Sequence, residues 1–256
     1  MIRLYAVNIL PLKDEGCFKA CYLRSSKERQ QKADVLQMPS DKARCIAAGL
    51  LLEYAYEKFR IEKTKELACA NSFGYVQNPV LFPDAMPRLV EGMRGKPEFA
   101  WSEDYDTMCF FNLSHSGNYV ICAMADFEVG ADVQRRTRVR GSVLRQFFSK
   151  QERMFVEACG EDEVLRERAF SQVWTRKEAE TKLTGRGIGQ MLGKMMRDAG
   201  MAKCSEESEN YRIWQGVIGE EYAWAVAAYP EETVGESDIL QPTMVNEGEL
   251  FYEGIF

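Results

Sequence analysis

Histidine is nearly missing from this chain. His115 is the only one among 256 residues, so a zinc site built on two imidazoles is excluded. Cysteine is present eight times, at 17, 21, 45, 69, 109, 122, 159 and 204, but never as Cys-x-x-Cys. Cys17 and Cys21 have no second cluster with which to complete a zinc set, and small buried thiols in a reducing compartment are the expectation. No apolar run reaches the roughly 20 residues that span a bilayer. Met1–Leu10 is too short for a signal peptide and lacks a small-residue cleavage site, so a cytoplasmic protein without a membrane partner is expected. Gly-x-Ser-x-Gly is absent, which argues against the nucleophile-elbow hydrolases. The chain also lacks an excess of positive charge. At a formal net charge of −6, wholesale binding to nucleic acid is not expected.

What is present fits an ordinary globular protein. Hydrophobic residues make up 46% and charged residues 28% of the chain, enough apolar surface for a sizeable core. Its length admits one large domain or two small ones. Met1–Leu10 reads as a strand, residues 27–36 as an exposed helix, and residues 40–60 as a core helix. Ser40 is the expected N-cap of that core helix, and Ile46, Ala47, Leu50, Leu51, Tyr54 and Ala55 form its apolar face. Four of the eight prolines lie between 78 and 97, so a connection is expected there, with a loop at Arg94-Gly95-Lys96-Pro97. Residues 108–113, 119–125 and 128–133 read as short strands. Helical patterns follow from Val139 and over 149–159. The longest helix is expected over 164–184, stopped by Gly185 and a loop containing Gly187, Gly189 and Gly193. Residues 211–218 and 221–229 predict a hairpin around Gly219-Glu220, with Tyr222, Trp224 and Val226 on one face. The class is α+β. The division expected is 1–105, 106–230 and an irregular, partly mobile acidic tail over 231–256. No internal repeat is visible.

Three stretches carry chemistry. In Phe111-Asn112-Leu113-Ser114-His115-Ser116-Gly117, the histidine lies between two hydroxyls beside a glycine, groups suited to holding a phosphate. Asp132 ends an apolar strand. In Trp174–Lys182, helical spacing lines up Trp174, Glu178 and Lys182 on one side. Taken alone, Glu178 and Lys182 are an ordinary surface ion pair, Trp174 a packing residue and Asp132 a turn or cap. Taken together, Asp132 and Glu178 form an oxygen-ligand pair of the kind magnesium uses with substrate phosphate and water. Lys96, Lys177 and Lys182 then become partners for phosphate oxygens. Between Asp132 and the last helix lies a basic run: Arg135, Arg136, Arg138, Arg140, Arg145, Lys150 and Arg153, against Glu152 alone. Such a run is either a solvated face or a surface for an acidic partner.

These motifs have a recognisable order. Phe111–Gly117, then Gly130-Ala131-Asp132, then Phe147-Phe148-Ser149-Lys150-x-Glu152, then Trp174-Thr175-Arg176-Lys177-Glu178-Ala179-x-x-Lys182 resemble the 4′-phosphopantetheinyl transferase superfamily, its monomeric surfactin-synthetase-activating type in particular. Gly95-Lys96-Pro97 and Asp41-x-x-Arg44-x-x-Ala47-Ala48 extend the resemblance upstream. The resemblance implies two similar α+β subdomains related by a pseudo-twofold, with coenzyme A held between them. It implies transfer of the phosphopantetheine arm of coenzyme A to a serine of an acyl or peptidyl carrier protein, with release of adenosine 3′,5′-bisphosphate. By position, Asp132 and Glu178 would be magnesium ligands. His115, Arg44 and Ser114 would contact coenzyme A phosphates, Lys96 would lie near the nucleotide, and Lys177 and Lys182 near the pyrophosphate. Glu152 or Glu178 would be the base. A monomer is expected, because both halves lie in one chain.

One position departs from the pattern. Where bacterial members of this type usually read Asp-x-Glu, this chain has Asp132-Val133-Gln134. Glutamine keeps an oxygen ligand but removes a charge, so weaker magnesium binding is expected. Gln134 also supports an alternative, a relative that binds coenzyme A or a carrier without transferring. A purely structural protein on the same fold explains neither the Ser-His-Ser-Gly segment nor the order of the motifs.

Overall fold

The computed structural model describes residues 1–71, 83, 85–92, 95–101, 108–185, 211–229 and 240–252. Arg94, the glycines at 187, 189 and 193, and residues 231–239 lie outside them. The elements run β1 (Ile2–Asn8), α1 (Glu15–Arg24), α2 (Lys27–Asp34), α3 (Pro39–Asn71), β2 (Leu89–Glu91), β3 (Pro97–Phe99), β4 (Phe110–Ser116), β5 (Tyr119–Ala125) and β6 (Val129–Arg135). They continue with α4 (Gly141–Phe147), α5 (Lys150–Glu157), α6 (Glu163–Thr184), β7 (Arg212–Ile218), β8 (Tyr222–Ala228) and β9 (Pro242–Met244). The class is α+β, as expected. No helix among the described residues is long and apolar enough to cross a membrane.

Two sheets organise the core. One has the order β4-β5-β1-β9 and the other β6-β8-β7, with β2 and β3 as a separate pair. The first sheet therefore draws strands from either side of residue 105. Its two faces follow the period-two alternation of a strand. On one face Tyr5, Val7, Val120, Cys122 and Met124 pack beneath α3. On the other, Leu4, Ala6, Ile121 and Ala123 meet Val129, Ala131, Val133, Tyr222, Trp224 and Val226 of the second sheet. The expected face of Tyr222, Trp224 and Val226 is thus the seam between the sheets. The alternate residues Ala225 and Ala227 lie under Ala179 and Leu183 of α6.

Helix ends match local chemistry in most places. Ser149 accepts from the Glu152 amide at 3.2 Å while Glu152 accepts from the Ser149 amide at 2.7 Å, a reciprocal cap that starts α5. α6 ends at Gly185, whose φ of 62° is left-handed and suits a residue without Cβ. The start of α3 differs from expectation. The helix begins at Pro39, and the Met38 carbonyl accepts from the Asp41 and Lys42 amides. Proline has no amide hydrogen to satisfy and its φ is already helical, so Pro39 takes the first position and Ser40 is not the cap. α3 also runs to Asn71 rather than 60, because no Gly or Pro interrupts a segment of good helix formers.

The tail is a further correction. An irregular, partly mobile tail was expected over 231–256. Pro242–Met244 instead add to β1 as a parallel strand, and Gly248–Tyr252 form a short π-helix. Val245, Leu250 and Phe251 are buried against α1, α3 and β1 in the first core. The physical reason is long-range pairing: three residues on a sheet edge carry no periodicity of their own.

Candidate active site

The site is built on the line where β4 and β6 meet. These strands belong to different sheets and share no backbone ladder. Alternate side chains of β4 do that work instead. Asn112 Oδ1 accepts from the Ala131 amide at 2.9 Å, Ser114 Oγ from the Val133 amide at 3.2 Å, and Ser116 Oγ from the Arg135 amide at 2.9 Å. The edge amides of β6 that face away from β8 are thus satisfied by three staples at a spacing of two. Both series rise together, so β4 and β6 run parallel and in fixed register.

That register sets Asp132 between the staples. Asp132 is 6% exposed. Its Oδ1 accepts from Ser114 Oγ at 2.7 Å and from Lys182 Nζ at 2.7 Å, and Lys182 also reaches the Ala131 carbonyl at 3.0 Å. α6 lies close enough for this because of Gly130. A Cβ there would collide with the Ala179 carbonyl oxygen and the Leu183 amide nitrogen, so only glycine lets the helix backbone rest on the strand. Glu178, one turn before Lys182, is brought over Asp132. Burial, and then the Asp132 charge, raise the pKa of Glu178, with Lys182 opposing. Gly130, Asp132 and Gln134 alternate on the same side of β6 by the period of a strand. Gln134 Nε2 donates to the Arg135 carbonyl at 3.0 Å.

His115 falls inside β4, and its alternation turns it away from the staples. Partial burial of its ring, followed by the Arg44 and Lys182 charges, lowers its pKa. Arg44, on the first turns of α3, donates to the Gly117 carbonyl at 3.0 Å and pairs with Asp41. A cationic corner therefore forms around His115, with Arg44 at the β4–β5 turn and Lys182 on the Asp132 side.

Two predicted residues lie off this centre. Lys96 Nζ pairs with Glu128 at 3.1 Å and donates to the Val129 carbonyl at 3.2 Å. It holds the beginning of β6, the end opposite Arg44 and roughly 10 Å from Asp132 along the strand. Lys177 turns to α5, where its Nζ meets Glu152 at 2.9 Å in a largely shielded pair. Trp174 is a packing residue: it stacks on Phe170 with centroids 6.5 Å apart and meets Phe147 edge-on at 5.8 Å. Asn112, Ser116 and Gly130 were not among the predicted site residues. Their signals were the Asn-x-Ser-x-Ser alternation and a glycine inside a strand.

The donor set suits a hard cation. Among the described residues no group of three His, Cys, Asp or Glu side chains comes together, so there is no closed protein cage. Two mutually repelling carboxylates are what magnesium takes when phosphate oxygens and water complete its shell.

Residues 128–231 match the family model of the 4′-phosphopantetheinyl transferase superfamily. That span holds Asp132, Gln134, Glu152, Lys177, Glu178 and Lys182. A putative 4′-phosphopantetheinyl transferase of Synechocystis is 29% identical over 181 residues, 70% of this chain and 64% of that protein. The 4′-phosphopantetheinyl transferase Sfp of Bacillus subtilis is 35% identical over 82 residues, 32% of this chain and 36% of that protein. The 4′-phosphopantetheinyl transferase AcpT of Escherichia coli O157:H7 is 36% identical over 110 residues, 42% of this chain and 53% of that protein. The chain spans less than two thirds of the length of each of these relatives. The resemblance read from the motifs is borne out.

Proposed function

We propose that this chain, similar over residues 128–231 to the 4′-phosphopantetheinyl transferase superfamily, moves the phosphopantetheine arm of coenzyme A onto a serine of an acyl or peptidyl carrier protein. The observation that carries this reading is the convergence on Asp132: Lys182 and Ser114 on one oxygen, Glu178 above, and the His115–Arg44 corner alongside.

Transfer forms a bond from the carrier serine Oγ to the phosphorus that bears the pantetheine arm. The bond from that phosphorus to the bridging oxygen breaks, and adenosine 3′,5′-bisphosphate leaves. In-line displacement at phosphorus needs the reactants held in place and the spreading charge neutralised. Arg44 and His115 bind phosphates at the coenzyme A end, whereas Lys96, paired with Glu128 at the far end of β6, is left outside this centre. Lys182 faces the pyrophosphate and offsets the charge that builds on the leaving oxygen, while Lys177 is turned to Glu152 on α5. Asp132 and Glu178, with Gln134 beside them, would hold Mg2+, which when bound supplies positive charge to the phosphate oxygens. The serine proton passes to Glu152 or Glu178: Glu152 is held by Lys177 and by the Ser149 amide, and Glu178 lies over Asp132 with its pKa raised. Ser114 enters the site through Asp132, because its hydroxyl already donates to that acid and accepts from Val133.

The test is direct. Apo carrier protein incubated with the chain, coenzyme A and Mg2+ should gain the mass of one phosphopantetheine, and the gain should vanish with Asp132→Ala or Glu178→Ala. A chain that binds coenzyme A and carrier while leaving the carrier mass unchanged would be the binding relative that Gln134 makes conceivable.

A further inference from the structure

We propose that Ser114 is a positioning residue that presents one oxygen of Asp132 to the metal. This rests on the reading of Asp132 as a ligand. The three staples look alike from the β6 side, since each accepts one amide at ordinary length. Only Ser114 has a second task. Its hydroxyl accepts from Val133 and donates to Asp132 Oδ1 at 2.7 Å, so the hydroxyl hydrogen has a fixed direction.

The consequence lies in the two oxygens of Asp132. Oδ1 carries both Ser114 and Lys182, while Oδ2 makes no hydrogen bond among the described residues. A carboxylate held this way offers a single oxygen and cannot rotate without breaking two charge-assisted bonds. The two donors differ in permanence. Lys182 sits on a flexible four-carbon stem, and a phosphate anion nearby competes with Asp132 for its ammonium. Ser114 is 6% exposed, has one rotatable bond, and is held by the backbone of β6. When Lys182 turns to the pyrophosphate, Ser114 is the donor that still fixes Asp132. A partner behind a metal ligand acts through orientation and basicity, and losing one lowers metal affinity about 10–100-fold.

Mn2+ serves as a spectroscopic stand-in for Mg2+. Its dissociation constant is measured by electron paramagnetic resonance, with coenzyme A present, for the full chain and for Asp132→Ala, Ser114→Ala, Ser114→Cys, Ser114→Thr, Ser116→Ala and Asn112→Ala, each with a thermal melt. Asn112→Ala and Ser114→Ala should each lose thermal stability by freeing a buried edge amide, and Ser116→Ala less, since water can reach the amide it frees. Only Ser114→Ala should weaken Mn2+, by about tenfold or more, with Ser114→Thr restoring affinity through its retained hydroxyl. Ser114→Cys, nearly the same size with a weak donor, should fall between, and it carries the test if the alanine variant does not fold. Wild-type affinity in Ser114→Ala, or an equal loss in Ser116→Ala, would overturn the proposal. The same holds if the unaltered chain takes up no Mn2+. Failure of the ligand reading is separable: Asp132→Ala would then bind Mn2+ as the parent does.

Discussion

His115 is the residue whose role depends most on its surroundings. In the fold its neutral form is favoured, because partial burial and the charges of Arg44 and Lys182 all oppose a proton on the ring. The sign of the linkage follows. Its pKa lies below the ordinary 6.5 in the folded chain, so between those two values the unfolded chain binds more protons and stability rises with pH. The stability is present above about pH 6.5 and is lost as the pH falls through the folded value. A His115→Gln variant should therefore lose less thermal stability than the parent between pH 7 and pH 5, read from melts in one buffer series. An identical pH slope in the two proteins would mean that the ring is not held neutral. Under the transferase reading a coenzyme A phosphate reverses the local balance, and the imidazole takes up a proton as the ligand binds. That suits phosphate recognition at neutral pH better than proton transfer from a serine.

At the scale of elements, the decisive contact is α6 on β6. Gly130 is the point at which the helix backbone touches the strand, and a methyl group there has backbone on two sides. Backbone cannot rotate away as a side chain can, so Gly130→Ala must push α6 outward or bend β6. A cost of about 1–3 kcal/mol, the range for overpacking, is expected. That corresponds to a melting temperature lower by about 2–4 °C for each kcal/mol in a chain of this size. Because Glu178 and Lys182 ride on the same helix, transfer should fall much further than stability does. A variant with unchanged melting temperature and full transfer would place the contact elsewhere. This element pair also shows what was legible beforehand. The extent of α6 and the stop at Gly185 follow from periodicity and helix-end chemistry, and the facing of Glu178 with Lys182 follows from 3.6 residues per turn. By contrast β6, expected to end at Val133, runs on to Arg135 and leaves Asp132 in mid-strand. That Ser114 and Ser116 turn inward as staples, while His115 turns outward, depended on where the strand begins. Local pattern ends this strand at residue 113, whereas β4 runs through Ser116. The parallel meeting of β4 and β6 is non-local, and no window of the sequence contains both.

On the whole molecule the charge is divided. The chain as a whole is negative, at −6, yet the segment leaving β6 is basic. The fold sorts its cations into two groups. Arg135 pairs with Glu221, Arg136 with Glu167, and Arg153 donates to the Phe148 carbonyl at 2.8 Å. Arg138, Arg140, Arg145 and Lys150 are exposed on and between the short helices that follow Asp132. Met154 and Phe155, on α5, are exposed as well, so an apolar spot follows the cationic residues on the helix that carries Glu152. Under the transferase reading, an acidic helical carrier would be drawn by the cations and docked by the apolar spot. Attraction between surface charges is screened beyond about 8 Å at physiological salt, and steering acts on encounter rather than on chemistry. Transfer measured as kcat/KM for the carrier should therefore fall about tenfold or more between ~0.02 M and ~0.5 M salt, with kcat nearly constant. Replacing Arg138, Arg140 and Arg145 together by serine should flatten that dependence and lower kcat/KM at low salt, while leaving the melting temperature close to that of the parent. A flat salt response in the parent chain would assign these arginines to solvation alone and move the docking surface to another face of the molecule.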